Sequence, residues 1–355
     1  MLKDLIDTEY NHDNLHLTND SVSHFDPSNI EYIIPISNIN LENTNIIPEN
    51  KDLEITHVKF PSTIRRIAIY NASFGTRELG PALLSSLRVV YNKPWYINQV
   101  SDLEYDREDI LYIIICPAGL GPNVDKLPKY YINWQLEFLI GAYNVDWYIN
   151  IMKKSLINWD YSRYNIEISK TRDKIHSIYV PPGFNETIAS PDILNNTYLY
   201  DDQNKDIDVL FLGYCDAYPR RIHIRNEFNK TRYRTWFVSN LDLEGMKSAI
   251  RRSKVCINMA SHDTFILAKV RINILLSNQA CIVSETSVDK EADNLYSQNN
   301  ILFANIDSIV PTVLYLLTNF KLRQEMAIKS YQWYRTHYNW NYIVDFNKLL
   351  PVISD

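Results

Sequence analysis

Three arginines and a few carboxylates are the residues here with chemistry to offer. Arg220 and Arg221 stand side by side behind Ile207-Asp208-Val209-Leu210-Phe211-Leu212-Gly213, an apolar run that stops at a glycine. Arg271 follows a second such run, Val255-Cys256-Ile257-Asn258-Met259. Two guanidiniums at the start of a helix, together with that helix's free N–H groups, suit a diphosphate. The plainer reading of Arg220 and Arg221 is a solvated helix face. Glu78 lies near the glycine-containing loop at residues 71–76, and Glu137 follows the run at residues 131–136. A carboxylate in either place can take a proton from a hydroxyl; stabilising a helix N-terminus is the competing role for both. His262, just beyond the second run, is a further candidate for contact with a phosphate. Neither GxGxxG nor GxxxxGK[ST] occurs, so phosphate charge must be met by side chains.

These residues are positioned by alternating elements. From residue 206 to 285 the chain reads strand, helix, strand, helix with short connections, the signature of a doubly wound parallel sheet. Helices are expected over 243–253 and 264–277, and strands over 233–238 and 280–285. Such a sheet takes its ligand outside the carboxyl ends of its strands. That rule singles out Gly213 and Tyr214, then Asn258 to Asp263, then Ser284 and Glu285. The first half carries strand-like runs at 66–70, 95–100, 109–116, 130–133, 156–160 and 177–180, a helix over 77–90, and a helix beginning near Gln135. Gly119 and Gly121 end the third run and permit close backbone approach to a ligand or a neighbouring loop. After Glu285 come a polar stretch to residue 300, a short strand, helices over 306–318 and 320–337, and a terminal helix over 338–350. Two open sheets joined at Pro181-Pro182-Gly183 make a deep cleft.

Several weak motifs in the right order resemble one family. Asp208 to Gly213, Arg220-Arg221, Val255 through His262, Val270-Arg271-Ile272 and Ile282-Val283-Ser284-Glu285 are similar to the nucleotide-binding half of GT-B glycosyltransferases, in particular the CgeB-like, group-1-type members of bacteria and large DNA viruses. Tyr131-Ile132-Asn133-Trp134-Gln135-Leu136-Glu137, residues 157–165 and Val180-Pro181-Pro182-Gly183-Phe184 extend the resemblance into the first half. It implies two Rossmann-like α/β domains facing across a cleft: an extension over 1–62, an acceptor domain over 63–183, a nucleotide-sugar domain over 184–336, and a C-terminal helix over 337–355 returning to the first domain. The implied activity is transfer of a sugar from a UDP-, GDP- or dTDP-linked donor to a glycan, protein or lipid-linked acceptor, as in glycan biosynthesis, by a monomer or homodimer. Gly213, Tyr214, Arg220, Arg221, Asn258, Asp263, Arg271, Ser284 and Glu285 would bind donor. Gly75 and Gln135 would face the acceptor, and Glu137, Glu78 or His262 would carry the chemistry. One position departs: the family usually has an acidic residue where this chain has Ala268, so Asp263 or Glu285 would have to hold the ribose, or the protein is a weak enzyme or a sugar-nucleotide sensor.

Composition narrows the alternatives. With 355 residues, 46% of them hydrophobic, the chain is long enough for two cores. A net charge of -6 argues against nucleic acid as the main partner. Cys116, Cys215, Cys256 and Cys281 lie in or beside apolar runs without CxxC spacing, which reads as buried thiols in a reducing, cytoplasmic setting (an infected host's cytoplasm included) rather than a zinc site. No clear DxD pair ends an acidic strand, so a metal-independent transfer is expected, with no cofactor. No apolar stretch reaches about 18 residues, so no transmembrane helix is expected. The absence of a secretion signal disfavours a third class, the two-lobed solute receptor. The abundance of Asn, Ile and Tyr fits an AT-rich genome.

Overall fold

Runs rich in Ile and Val, apolar on both sides, become strands when helices cover both faces of the sheet. The computed structural model describes residues 59–91, 97–121, 126–139, 146–198 and 200–351. The strand-like pieces expected within 1–58, and the start of the run at 95–100, lie outside the described residues.

The first half contains strands β1 (Arg66–Asn71), β2 (Ile97–Val100), β3 (Ile110–Ile115), β4 (Tyr131–Gln135), β5 (Ile157–Asp160) and β6 (Ser177–Tyr179), with helices α1 (Leu79–Val90), α2 (Asp146–Lys154) and α3 (Arg163–Ile168). All six strands pair in parallel, in the order β2-β1-β3-β4-β5-β6. Alternation along the strands divides the sheet's two faces. Ile67, Ile69, Leu111, Ile113, Ile132 and Trp134 join one core cluster, while Ala68, Ile110, Tyr112, Ile114 and Tyr131 join another.

After α4 (Pro191–Leu194) the second half follows as β7 (Ile207–Leu212), α5 (Pro219–Asn229), β8 (Thr235–Val238), α6 (Leu243–Arg251), β9 (Ser253–Asn258), α7 (Lys269–Ser277), β10 (Ile282–Glu285), α8 (Lys290–Ser297), β11 (Leu302–Ala304) and α9 (Ile309–Leu317). Its five strands are also parallel, in the order β11-β10-β9-β7-β8. The strand order therefore reverses between β1 and β3 in one sheet and between β7 and β9 in the other. These two reversals are where such sheets open a crevice.

The chain ends in α10 (Phe320–His337), α11 (Trp340–Ile343) and α12 (Phe346–Leu349). Phe184 and Asn339 form a parallel bridge, with Phe184 N donating to Tyr338 O at 2.8 Å and Trp340 N to Phe184 O at 3.1 Å. Beyond it, Trp340 packs 5.2 Å from Trp134, and Phe346 packs 5.8 Å from Trp159, all four fully buried. Asn347 Nδ2 donates to Val90 O at the end of α1. The terminal segment thus completes the core beneath the first sheet.

Four expectations change. Residues 136–139 form a loop, not the start of a helix, because β4 continues through Gln135, opposite Asp160. The helix expected from 264 begins only at Lys269, because Val288 N donates to Phe265 O and holds the preceding segment open. The expected terminal helix is two short ones separated at Val344, which is extended. The polar stretch before residue 300 contains α8, whose N-terminus is capped by Asp289 accepting from Ala292 N. At Gly119 the close approach is to a neighbouring loop: a Cβ there would meet Ala72 O at 2.0 Å, so only glycine lets the β3 loop lie on the β1 loop.

Candidate functional site

The two reversals open on one cleft of about 510 Å³, lined from both halves of the chain. The second sheet supplies its cationic wall. Arg271, on the first turn of α7, donates from Nε to Leu212 O at 2.6 Å and from Nη1 to Asn258 Oδ1 at 2.6 Å. Asn258 is oriented in turn by Ser284, whose Oγ accepts from Asn258 Nδ2 at 2.9 Å. Arg271 Nη2 has no protein acceptor among the described residues. A Cβ on Gly213 would stand 3.1 Å from that nitrogen and 3.0 Å from Phe211 Cζ, so the glycine keeps the approach to it open. Burial, and the like charge of Arg221, lower the Arg271 guanidinium to about 9, still a cation at neutral pH.

Arg221 is nearly buried and donates to three carbonyls: Tyr214 O at 2.7 Å, Ala260 O at 3.1 Å and Met259 O at 3.2 Å. It thereby ties the loop after β7 to the loop after β9. Neither Arg221 nor Arg271 has a carboxylate within ion-pair distance among the described residues. Two desolvated cations with no carboxylate in direct contact make a strong place for an anion.

Arg220 is differently employed. Its Nη2 donates to Glu285 Oε1 at 2.5 Å and its Nε to Asp263 Oδ1 at 2.7 Å, while Nη1 reaches His262 O. Glu285 also accepts from Ala260 N at 2.9 Å through Oε2. Burial pushes the Glu285 carboxyl up, and the Ala260 N–H and Arg220 draw it back. Asp263 is almost fully exposed, so its share of this pair contributes under about 1 kcal/mol. Arg220, His262, Asp263, Ser284 and Glu285 are not among the residues that line the cleft.

The first sheet supplies carboxyls. Glu78 lines the cleft at the entry to α1, 4% exposed, with no side-chain bond to the helix N-terminus. Burial raises its carboxyl to about 7. Glu137 also lines the cleft; burial raises its carboxyl, opposed by the Cys116 thiol donating at 3.7 Å and by the charge of Arg271. Gln135 is buried and does not reach the cleft. Its Nε2, like Asn165 Nδ2, donates to Glu137 O at 2.8 Å and pins the loop that carries Glu137. Gly75 is part of the lining, within the tight turn Phe74–Thr76.

Ser239, Asn240, Leu241 and Met246 form a further wall that the sequence reading did not single out. Ser239, Asn240 and Leu241 follow β8, so the strand-end rule applied to Val238 would have found them, while Met246 comes from α6. The four cysteines are free and buried, and burial pushes the Cys256 and Cys281 thiols up to about 12. Among the described residues no group of three His, Cys, Asp or Glu is arranged to hold a metal ion, and no helix is long and apolar enough to cross a membrane. Asp202 is the partner of Arg323.

Two parallel sheets whose strand ends face one cleft have counterparts among solved structures. Sucrose-phosphate synthase from Thermosynechococcus elongatus superposes with a TM-score of 0.52 at 9% identity, over 79% of this chain and 96% of that one. HepE from Anabaena, solved with UDP and glucose, superposes with a TM-score of 0.53 at 8% identity, over 80% of this chain and 98% of that one. The fold is GT-B. TarM is matched at 10% identity over 67% of this chain with a TM-score of 0.47, and the chain spans 54% of TarM's length. No family model and no curated protein sequence matches. In this GT-B chain the cationic wall belongs to the second sheet and the carboxyl wall to the first.

Proposed function

We propose that this protein transfers a glycosyl group from a nucleoside-diphosphate sugar to an acceptor hydroxyl, without a metal ion. The observation that carries the reading is that Arg221 and Arg271, neither ion-paired among the described residues, line one cleft together with the buried carboxyl of Glu78. The diphosphate would lie against Arg271 Nη2 and the open edge at Gly213. As the sugar–phosphate bond breaks, its electron pair passes to the diphosphate, where those cations stabilise the growing charge. The acceptor oxygen bonds to the anomeric carbon, and its proton passes to Glu78. Glu78 suits this role better than Glu137 because a carboxyl titrating near 7 can both accept and release a proton at neutral pH, whereas Glu137 already lies in the field of Arg271. The UDP and glucose of HepE support a UDP-linked donor.

Ala268 favours a second reading, a nucleotide-sugar binder with little turnover. It leaves the cleft lining without the expected acidic residue, and Asp263 and Glu285 are committed to Arg220. Calorimetry with UDP, GDP and dTDP, followed by a hydrolysis assay on the matching sugar nucleotides, tests both. Micromolar binding of one diphosphate with measurable release of it from the sugar nucleotide is expected. Binding without release selects the second reading, and no binding of any of the three removes both.

A further inference from the structure

Among the described residues six large hydrophobic side chains are exposed, and two of them, Phe74 and Tyr214, line this one cleft from opposite sheets. Phe74 is 59% exposed, yet the turn that carries it is firmly built. Asn71 Nδ2 donates to Thr76 O at 2.6 Å, Asn71 Oδ1 accepts from Thr76 Oγ1 at 2.8 Å and from Ser73 N at 3.1 Å, and Ser73 Oγ accepts from Gly75 N. One face of the Phe74 ring is covered by the Arg77 guanidinium, 3.9 Å from the ring centroid. Arg77 is itself fixed, donating to Phe74 O at 2.8 Å and to Met246 Sδ at 3.8 Å across the cleft. An exposed aromatic ring in a cleft lining, backed by a guanidinium, is a site for a weakly polar face to stack on. The chemistry beside it narrows the choice. Glu78, four residues along at the entry to α1, and Glu137 put a buried and a half-buried carboxyl on this wall, while the Arg77 guanidinium lies against the ring. An anionic occupant is disfavoured.

We infer that Phe74 is a stacking platform for the apolar C–H face of a neutral sugar ring. Given the glycosyl-transfer reading, on which this step alone rests, the acceptor is then a neutral saccharide whose hydroxyl is offered to Glu78. Saturation-transfer NMR with methyl β-glucoside, methyl β-galactoside and methyl β-glucuronide tests it, on the full chain with and without UDP. The neutral glycosides receive saturation from aromatic protons and the glucuronide does not. Phe74→Ala weakens the neutral glycosides about tenfold, Phe74→Tyr retains them, and neither changes UDP affinity. Glycoside binding without UDP binding supports the platform while removing the transfer reading. UDP binding with no neutral glycoside bound overturns the platform alone. So does a Phe74→Ala protein that binds glycosides as the wild type does, or one that loses UDP instead.

Discussion

The two sheets share a construction and differ in charge. Each is parallel, each reverses its strand order beside its first strand, and each turns that reversal to the same cleft. The first presents Glu78 and Glu137, the second Arg221 and Arg271. In both, burial moves the charged groups toward neutrality: the carboxyls rise and the guanidiniums fall. Similar scaffolds thus provide opposite chemistries, and a reaction that needs a proton removed at one end and negative charge stabilised at the other can use both.

The largest break in this contrast is Glu78→Gln. Losing the base should lower kcat between a hundredfold and ten-thousandfold, by roughly 3–5 kcal/mol, with donor affinity unchanged. The variant also tests linkage. A carboxyl raised from 4.5 to about 7 contributes stability that is fully present below pH 4.5 and is lost as pH rises through 7, by about 3 kcal/mol. Glu78→Gln should therefore gain in Tm on the wild type as pH goes from 5 to 8, while wild-type turnover rises through pH 7. A Tm difference independent of pH would remove the raised carboxyl. Next in size is Arg271→Ala, which should weaken nucleoside-diphosphate binding by roughly 10- to 100-fold, the loss of one or two charge-assisted bonds of about 1.5–3 kcal/mol. Calorimetry that finds unchanged affinity would take Arg271 out of the site. Smallest in its effect on the ligand is Arg220→Ala. Binding should stay within about threefold of wild type, while stability falls by roughly 1–3 kcal/mol as Glu285 loses its partner. A large loss of affinity there would place Arg220 in the site after all.

Much of this was legible in the chain. Strands such as β7 and β9 are largely apolar runs, and the rule about strand ends led from them to Gly213, Tyr214 and Asn258. Where reading failed, the cause lay far away in sequence. Arg220 and Arg221 are adjacent and look alike, yet Glu285, 65 residues on, claims the first, while carbonyls of the β7 and β9 loops claim the second. Residues 264–268 carry helix-compatible side chains, but a hydrogen bond from Val288 keeps them open. The start of α8 did carry a local signal, Asp289 followed by acidic residues in the first turn, that polarity obscured. Phe74 gave none, because an aromatic residue in a loop says nothing of its exposure.

The packing of Trp340 and Phe346 against Trp134 and Trp159 has a consequence for biosynthesis. During translation the earlier lobe emerges some 160 residues before the side chains that fill its base, so its tryptophans must wait, partly uncovered, until the later lobe has left the ribosome. The earlier lobe therefore reaches its final form only after the later one has been made, and a ribosome stalled before Trp340 would leave an unfinished lobe for chaperones to hold.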